Sequence, residues 1–336
     1  MGSAPVLVTG GAGFIGSHLA VALLRQGYSV TVLDDLSGGF KENIPSDADF
    51  VQGSILDDRL LTRLFDAKRF AYVFHFAAYA AEGLSYFIRR YNYETNLLGT
   101  VNLINCSVQH EVRRFVFASS IAVYGNPAAP LDENTIPCPV DPYGVSKYAV
   151  ELDLRSAYDT FGLPYTIFRP HNVYGERQNI GDCYRNVVGI FMNQWLRGEP
   201  LTIFGDGLQT RAFTYIDDII PALVRCLEMP ETVGEAFNIG ADHVCTANEL
   251  AGLVMRAMGK KTAVCHAEPR HEVTHLEPIH GKVKKFFPEL STSTGLKEGL
   301  ARMAKWAKAH GAQESSLPVK LEIRHKLPRH WSLQLQ

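Results

Sequence analysis

No two of the six cysteines lie close enough to make a zinc knuckle or a redox CxxC pair: Cys106, Cys138, Cys183, Cys226, Cys245 and Cys265 are scattered. Buried or idle thiols are expected. No run of eighteen apolar residues is available to span a bilayer. The balance of 33 Lys and Arg against 35 Asp and Glu offers no basic field for nucleic acid, and no repeat or low-complexity linker divides the chain. The start reaches a Val-Leu-Val strand at Val6 without the charged and apolar regions of a signal peptide. Met1-Gly2 opens like a myristoylation site, but Val6 stands where Ser or Thr is wanted. The expectation is a cytoplasmic protein with no metal, whose partner is a small molecule rather than a membrane or a nucleic acid. What is present, 336 residues that are 46% hydrophobic and 20% charged, suffices for one large or two modest cores.

Short β-branched runs alternate with helical patterns from Pro5 to about Arg169: Val6-Thr9, Ser29-Leu33, Phe50-Gln52, Tyr72-Phe76, Arg114-Ala118 and Tyr165-Arg169 read as strands. This alternation predicts an α/β fold of Rossmann type, a doubly wound parallel sheet with helices on both faces. Residues 1–170 form its expected extent. Beyond Pro170 the loops lengthen, and helices are expected through Val187-Arg197, Asp217-Glu228, Ala247-Met258 and Leu296-His310. Residues 171–312 are expected to form mainly a smaller C-terminal α/β substrate-binding lobe, with some elements returning to the first domain. Residues 313–336, basic and polar with Pro318 and Pro328, read as a tail or an oligomer contact.

Gly10, Gly13 and Gly16 fall at GxxGxxG spacing between a strand and a helix that starts near Phe14. Glycines there let backbone amides and the helix N-terminus approach a pyrophosphate. The second strand ends in Asp34, which follows Gly16 by 18 residues, where a carboxylate accepts both ribose hydroxyls of NAD and repels a 2′-phosphate. No Arg follows in Leu36-Ser-Gly-Gly-Phe40, so NAD is expected rather than NADP.

Ser120, Tyr143 and Lys147 make a second constellation, the last two within Tyr-Gly-Val-Ser-Lys. Positions i and i+4 of a helix share a face, which brings the Lys147 ammonium beside the Tyr143 phenol. A nearby positive charge, that of oxidised nicotinamide included, lowers the phenol pKa from about 10 toward neutrality and makes Tyr143 a base.

With these motifs the chain resembles the extended short-chain dehydrogenase/reductases, and within them the UDP-glucose 4-epimerases. The resemblance runs from Val6 to about Arg270 through Thr9-Gly-Gly-Ala-Gly-Phe-Ile-Gly16, Phe76-Ala-Ala78, Asn96, Ser119-Ser-Ile-Ala-Val-Tyr-Gly125, Pro142-Tyr-Gly-Val-Ser-Lys147 and Arg169-Pro-His-Asn-Val-Tyr-Gly175. It implies that Phe14, Ile15, Ser54, Ile55, Phe76, Ala77, Ala78 and Asn96 join the NAD site, with Tyr143 and Lys147 reaching the nicotinamide end. It also implies a reaction: Tyr143 takes the proton of the sugar 4-hydroxyl as the C4 hydride passes to NAD, and Ser120 bonds the reacting oxygen. The 4-keto sugar turns and is reduced from its other face, so NAD is not consumed. Related 4,6-dehydratases carry Asp-Glu after this Ser/Thr, and UDP-glucuronate decarboxylases a Glu; here Ile121-Ala122 supplies neither acid nor base.

The resemblance further assigns Asn172, Asn186, Phe204, Arg211 and Arg270, with Ser120, to a nucleotide-diphosphate sugar: the arginines to the diphosphate, Phe204 to a uracil. His171 either lines the cleft or is a hydrogen-bonded structural residue. Departures from the family pattern are Ser54 in place of an adenine-binding Asp and Ala80 in place of a Lys near the NAD phosphates. The position that limits sugar size falls on His275, Leu276 or Glu277. UDP-glucose and UDP-galactose are the expected substrates. Alternatives are UDP-glucuronate, UDP-N-acetylglucosamine, reduction of a 4-keto sugar, or a non-catalytic dinucleotide sensor. A homodimer is expected through Asn92-Gln109 and Tyr143-Phe161.

Overall fold

Strands joined by helix-length connections favour parallel pairing, because a crossover helix carries the chain back to begin the next strand at the same end of the sheet. The computed structural model describes residues 4–126, 130–270, 273, 275–291, 293–315 and 319–334. Met1 and Gly2 lie outside them. Strands β1 (Pro5–Thr9), β2 (Ser29–Asp34), β3 (Asp49–Gln52), β4 (Tyr72–His75), β5 (Arg114–Ala118) and β6 (Tyr165–Pro170) stand in the order β6-β5-β4-β1-β2-β3. A seventh strand, Glu235–Ile239, returns from beyond Pro170 to pair with β6, and every pairing in this sheet is parallel.

Side-chain alternation fills both faces. Val6, Val8, Val32, Phe74 and Phe168 enter one core, and Leu7, Leu33, Val73, Phe117 and Ile167 the other. Strand order reverses between β1 and β4, so the connections that follow them diverge and leave a crevice at their C-terminal ends. The helix α1 (Phe14–Arg25) begins there.

The helix Pro142–Phe161 is delimited by local chemistry. The Asp141 carboxylate accepts the Gly144 N–H at 2.8 Å, Pro142 occupies the first turn, and Gly162 ends the helix at φ +73°. Two expected helices differ from their reading. Asp217-Glu228 is broken into the 3₁₀ turns Ile216–Asp218 and Cys226–Glu228 around a helix at Ile220–Arg225; Pro221, lacking an N–H, is admitted only at the start of that helix. Asn92-Gln109 contains a π-turn, Glu94–Leu98, between Arg89–Tyr93 and Gly99–Gln109.

After β6 the chain builds a smaller layer from the parallel pair Leu201–Phe204 and Val264–Ala267 and the antiparallel pair Thr210–Ala212 and Val244–Thr246. Helices Val187–Leu196, Ala247–Met258 and Leu296–His310 pack with it, the second opened by a reciprocal Thr246/Glu249 capping box. The C-terminal stretch folds back on its own chain. The Glu322 carboxylate accepts the N–H groups of Arg90 and Tyr91 at 2.8 and 2.9 Å, and Trp331 is buried against Phe87, Tyr184 and Phe204.

Candidate functional site

One cleft runs from the glycine turn after β1, past Tyr143, to Phe204, Arg211 and Arg270 in the second layer. Its first part is shaped by missing side chains. Gly10 has φ +70°, and a Cβ there would meet the Ala77 nitrogen at 2.6 Å; a Cβ on Gly16 would overlap the Gly10 carbonyl. Phe14, Ile15, Ser54, Ile55, Phe76, Ala77 and Ala78 all line this part. Asp34 stands at its floor, where burial pushes its carboxyl pKa up against the opposing pull of the Leu36 and Ala12 amides, bonded at 2.8 and 3.0 Å. NAD fits here: bare backbone faces a pyrophosphate, and a fixed carboxylate lies where a ribose would sit.

Asp34→Ala should weaken NAD by about 1.5–3 kcal/mol, the worth of a hydrogen bond to a charged group. Titration of NAD-stripped protein reads this directly. Unchanged NAD affinity, or NADP preferred by the unmodified protein, contradicts the assignment.

Asn96 departs from expectation. It is buried outside the cleft lining, its amide bonded to the Tyr79 N–H and C=O at 2.9 and 3.1 Å, so it shapes the cleft wall from behind. Ser54 caps a turn by accepting the Leu56 N–H at 3.2 Å.

Ser120, Tyr143 and Lys147 converge beside the end of β5. Ser120 caps the 3₁₀ turn Ile121–Tyr124 by accepting the Ala122 N–H at 3.1 Å, and its hydroxyl favours the ionised form of the Tyr143 phenol. Lys147 donates to the Ala118 carbonyl at 2.8 Å, with its nitrogen 5.8 Å from the Tyr143 ring centre. The expected lowering of the phenol pKa by Lys147 is not met in the chain alone. Burial raises the Tyr143 pKa first, the Glu82 charge adds to this, and the Ser120 hydroxyl only partly opposes them. Burial likewise pulls the Lys147 amine down to about 7, against the Glu151 carboxylate. An additional positive charge in the cleft is what would turn the phenol into a base.

Behind this set lies a buried polar network absent from the sequence reading. Ser119 donates to Glu151 at 2.5 Å, Arg169 holds the same carboxylate at 2.9 and 2.5 Å, and Arg169 reaches Tyr124, which donates to Asn238. It ties the ends of β5, β6 and Glu235–Ile239 to the helix that carries Tyr143 and Lys147. Ile121 and Ala122 are buried, Ile121 in an apolar cluster with Val123 and Leu276.

In the second layer, Asn172, Asn186, Phe204, Arg211 and Arg270 all line the cleft. Asn172 donates to the Ala212 carbonyl at 3.1 Å, and Asn186 caps Val187–Leu196 through the Val188 N–H at 2.9 Å. Arg211 donates to the carbonyls of Thr210 and Val273. Arg270 lies 4.6 Å over the Phe204 ring and 5.9 Å from the Trp331 ring, so an arginine already stacks on the aromatic expected to receive a uracil.

His171 does not line the cleft. It is buried against His280 with nitrogens 2.7 Å apart, and burial, then the His280 charge, hold its pKa near 3. Of the three positions considered for limiting sugar size, His275 and Glu277 are exposed and Leu276 is buried; none of them lines the cleft, whereas Val273 does. The sequence reading missed Glu82, Tyr86, Tyr91, Gln178, Asn179, Tyr184 and Arg185, all of which face the cleft. Only the run Gln178–Asn186, polar and directly after the Asn-Val-Tyr-Gly motif, offered a signal.

Comparison with known proteins agrees with this geometry. The model of the NAD dependent epimerase/dehydratase family matches residues 6–240. The solved UDP-glucose 4-epimerase of Thermotoga maritima, with UDP-glucose, is 36% identical, covering 91% of this chain and 99% of its own at a TM-score of 0.85. The UDP-glucuronic acid 4-epimerase of Bacillus cereus, solved with UDP-glucuronic acid and NAD, is 29% identical over 91% and 99% of the two chains, with a TM-score of 0.84. A UDP-N-acetyl-alpha-D-glucosaminuronate decarboxylase of Bacillus cytotoxicus is 32% identical over 87% of this chain and 95% of its own.

Proposed function

Because the chain belongs to the NAD-dependent epimerase/dehydratase family of nucleotide-sugar enzymes, we propose that it is a 4-epimerase acting on UDP-glucose and UDP-galactose through a transient 4-keto sugar. The observation that carries this reading is the Ser120, Tyr143 and Lys147 set opening into a cleft shared with the glycine turn and with Arg211 and Arg270. NAD held between the glycine turn and Asp34 would supply the acceptor and donor for a hydride at sugar C4, taken from one face and returned to the other. Tyr143 removes the 4-hydroxyl proton and gives it back, Ser120 bonds the oxygen as it becomes a carbonyl, and Lys147 holds positive charge near the phenol. Arg211 and Arg270 take the nucleotide diphosphate.

Dehydration calls for a further acid and base after Ser120, and the buried Ile121 and Ala122 supply neither; they also leave this chain without the Glu that the decarboxylases carry there. Glu82, which lines the cleft, offers no counter-charge to a uronate carboxylate. Incubation with UDP-glucose, UDP-galactose and their glucuronate and N-acetyl counterparts, followed by NMR, should show interconversion of the first pair. Conversion confined to a uronate or an N-acetyl sugar would replace the substrate.

The same reading includes a homodimer. Helices Gly99–Gln109 and Pro142–Phe161 lie side by side; Val145 and Leu152, two turns apart on one face of the second, are exposed, as is Leu98 (52%) just before the first. Apolar groups gathered on adjoining helices suit a two-fold contact with a second copy. Light scattering should give twice the chain mass at micromolar concentration, and Leu98→Asp with Leu152→Asp should halve it. A wild-type monomer contradicts the contact.

A further inference from the structure

We infer that Arg185 is the side-chain cation of the NAD diphosphate site, delivered from the loop between β6 and Val187–Leu196 rather than from the glycine turn itself. The side chain is set in place from two sides. Its Nε lies 2.9 Å from the buried Asp182 carboxylate, and its guanidinium covers the Tyr79 ring at 4.8 Å. Tyr79 is in turn held by Asn96 through both backbone groups. Among the described residues the guanidinium donates no hydrogen bond. Its terminal nitrogens are a positioned fork without an acceptor, in the wall of the cleft.

The neighbours identify which anion the fork faces. A Cβ on Gly38 would strike Arg185 Nη2, and a Cβ on Gly39 would strike the backbone of Ala12 and Gly13 at 2.6 and 2.8 Å. Arg185 is therefore separated from the glycine turn by two glycines, packed back to back with no side chain between. At the other end its charge acts on the Tyr143 phenol. A group that spans from Asp34 to Tyr143 and passes the glycine turn midway carries its diphosphate at that midpoint. Ala80, adjacent to Tyr79, lines the same wall and brings no charge of its own.

Asp182 serves two purposes in this arrangement. It draws the Nε edge by charge at 2.9 Å without a hydrogen bond, and it stabilises the arginine charge before any ligand arrives. Unlike Arg211 and Arg270, which engage the second layer, Arg185 touches the loop after β2. The inference does not depend on which sugar the enzyme converts.

The test uses full-length protein stripped of cofactor and titrated with NAD by intrinsic fluorescence, together with the NAD content of protein as purified. Arg185→Gln should lower NAD affinity about 10- to 150-fold, as expected for losing charge-assisted hydrogen bonds. UDP affinity, measured at saturating NAD, should change less than about threefold, the range of ordinary context effects. Because Arg185→Gln leaves Asp182 buried without its cation, Asp182→Asn with Arg185→Gln is measured in parallel, and melting of the stripped proteins reports folding. Wild-type NAD affinity in the folded double variant would overturn the inference. So would weakened UDP binding with NAD affinity intact, which would assign the fork to the nucleotide sugar.

Discussion

Tyr143→Phe should keep NAD and nucleotide-sugar binding within a few-fold of wild type and lose about 10²- to 10⁴-fold in kcat, the range for a positioned acid–base group. The ring is buried and packs the cleft wall, so phenylalanine preserves the shape and removes only the phenol oxygen. Burial holds that phenol above its ordinary pKa in the chain alone. Its ionisation in turnover therefore depends on positive charge brought into the cleft. Steady-state kinetics beside an NAD titration separates the two effects. Near-normal turnover of Tyr143→Phe would remove Tyr143 from the chemistry.

Lys147→Met should be the second most damaging change, because it removes the cation bonded to the Ala118 carbonyl at the end of β5 and leaves that carbonyl without its donor. A positive charge within about 4–6 Å lowers an acid's pKa by roughly 1–3 units, so turnover at neutral pH should fall about 10- to 10³-fold. NAD should also bind less tightly. The cofactor-free protein offers a second reading of the same amine. Its folded pKa is about 7, below the 10.5 of the unfolded chain, so the unfolded state binds more protons between those values. Stability contributed by Lys147 therefore rises with pH across that window. Urea unfolding of wild type relative to Lys147→Met should favour wild type more at pH 9.5 than at pH 7; a pH-independent difference would contradict the buried amine.

What could be read from residues alone was what local chemistry enforces. The turn after Val6-Thr9 needs glycine wherever the backbone of Ala77 or of Gly10 approaches, so its function is written in the missing side chains. Tyr143 and Lys147 share one helix, and the helical repeat alone brings them to one face. Arg185 and Trp331 escaped notice for the opposite reason. Arg185 meets Gly38 in the cleft wall, and Trp331 packs on Phe204 from outside the cleft lining, each only because distant segments fold together, and no sequence interval encodes those meetings.

The charge relation at the catalytic pair depends on more than spacing. Helical spacing predicts neighbours but says nothing of burial, and burial is the first cause acting on both Tyr143 and Lys147 in the chain alone. The Ser119–Glu151–Arg169 network shows the same limit. Glu151 follows Lys147 by one turn and looks like a solvated acid, yet it is buried and bonded on both oxygens. The seventh strand, Glu235–Ile239, lies far from β6 in sequence and joins it only in the folded sheet.

The most direct test follows the hydrogen at sugar C4. UDP-glucose carrying deuterium at C4 is incubated with the enzyme in ordinary water, and the UDP-galactose formed is examined by NMR. The account predicts that the deuterium stays at C4 with little exchange into solvent, because it leaves as hydride and returns without contacting water. Loss of the label to water would show that C4 gives up a proton, and would contradict epimerisation through a 4-keto sugar.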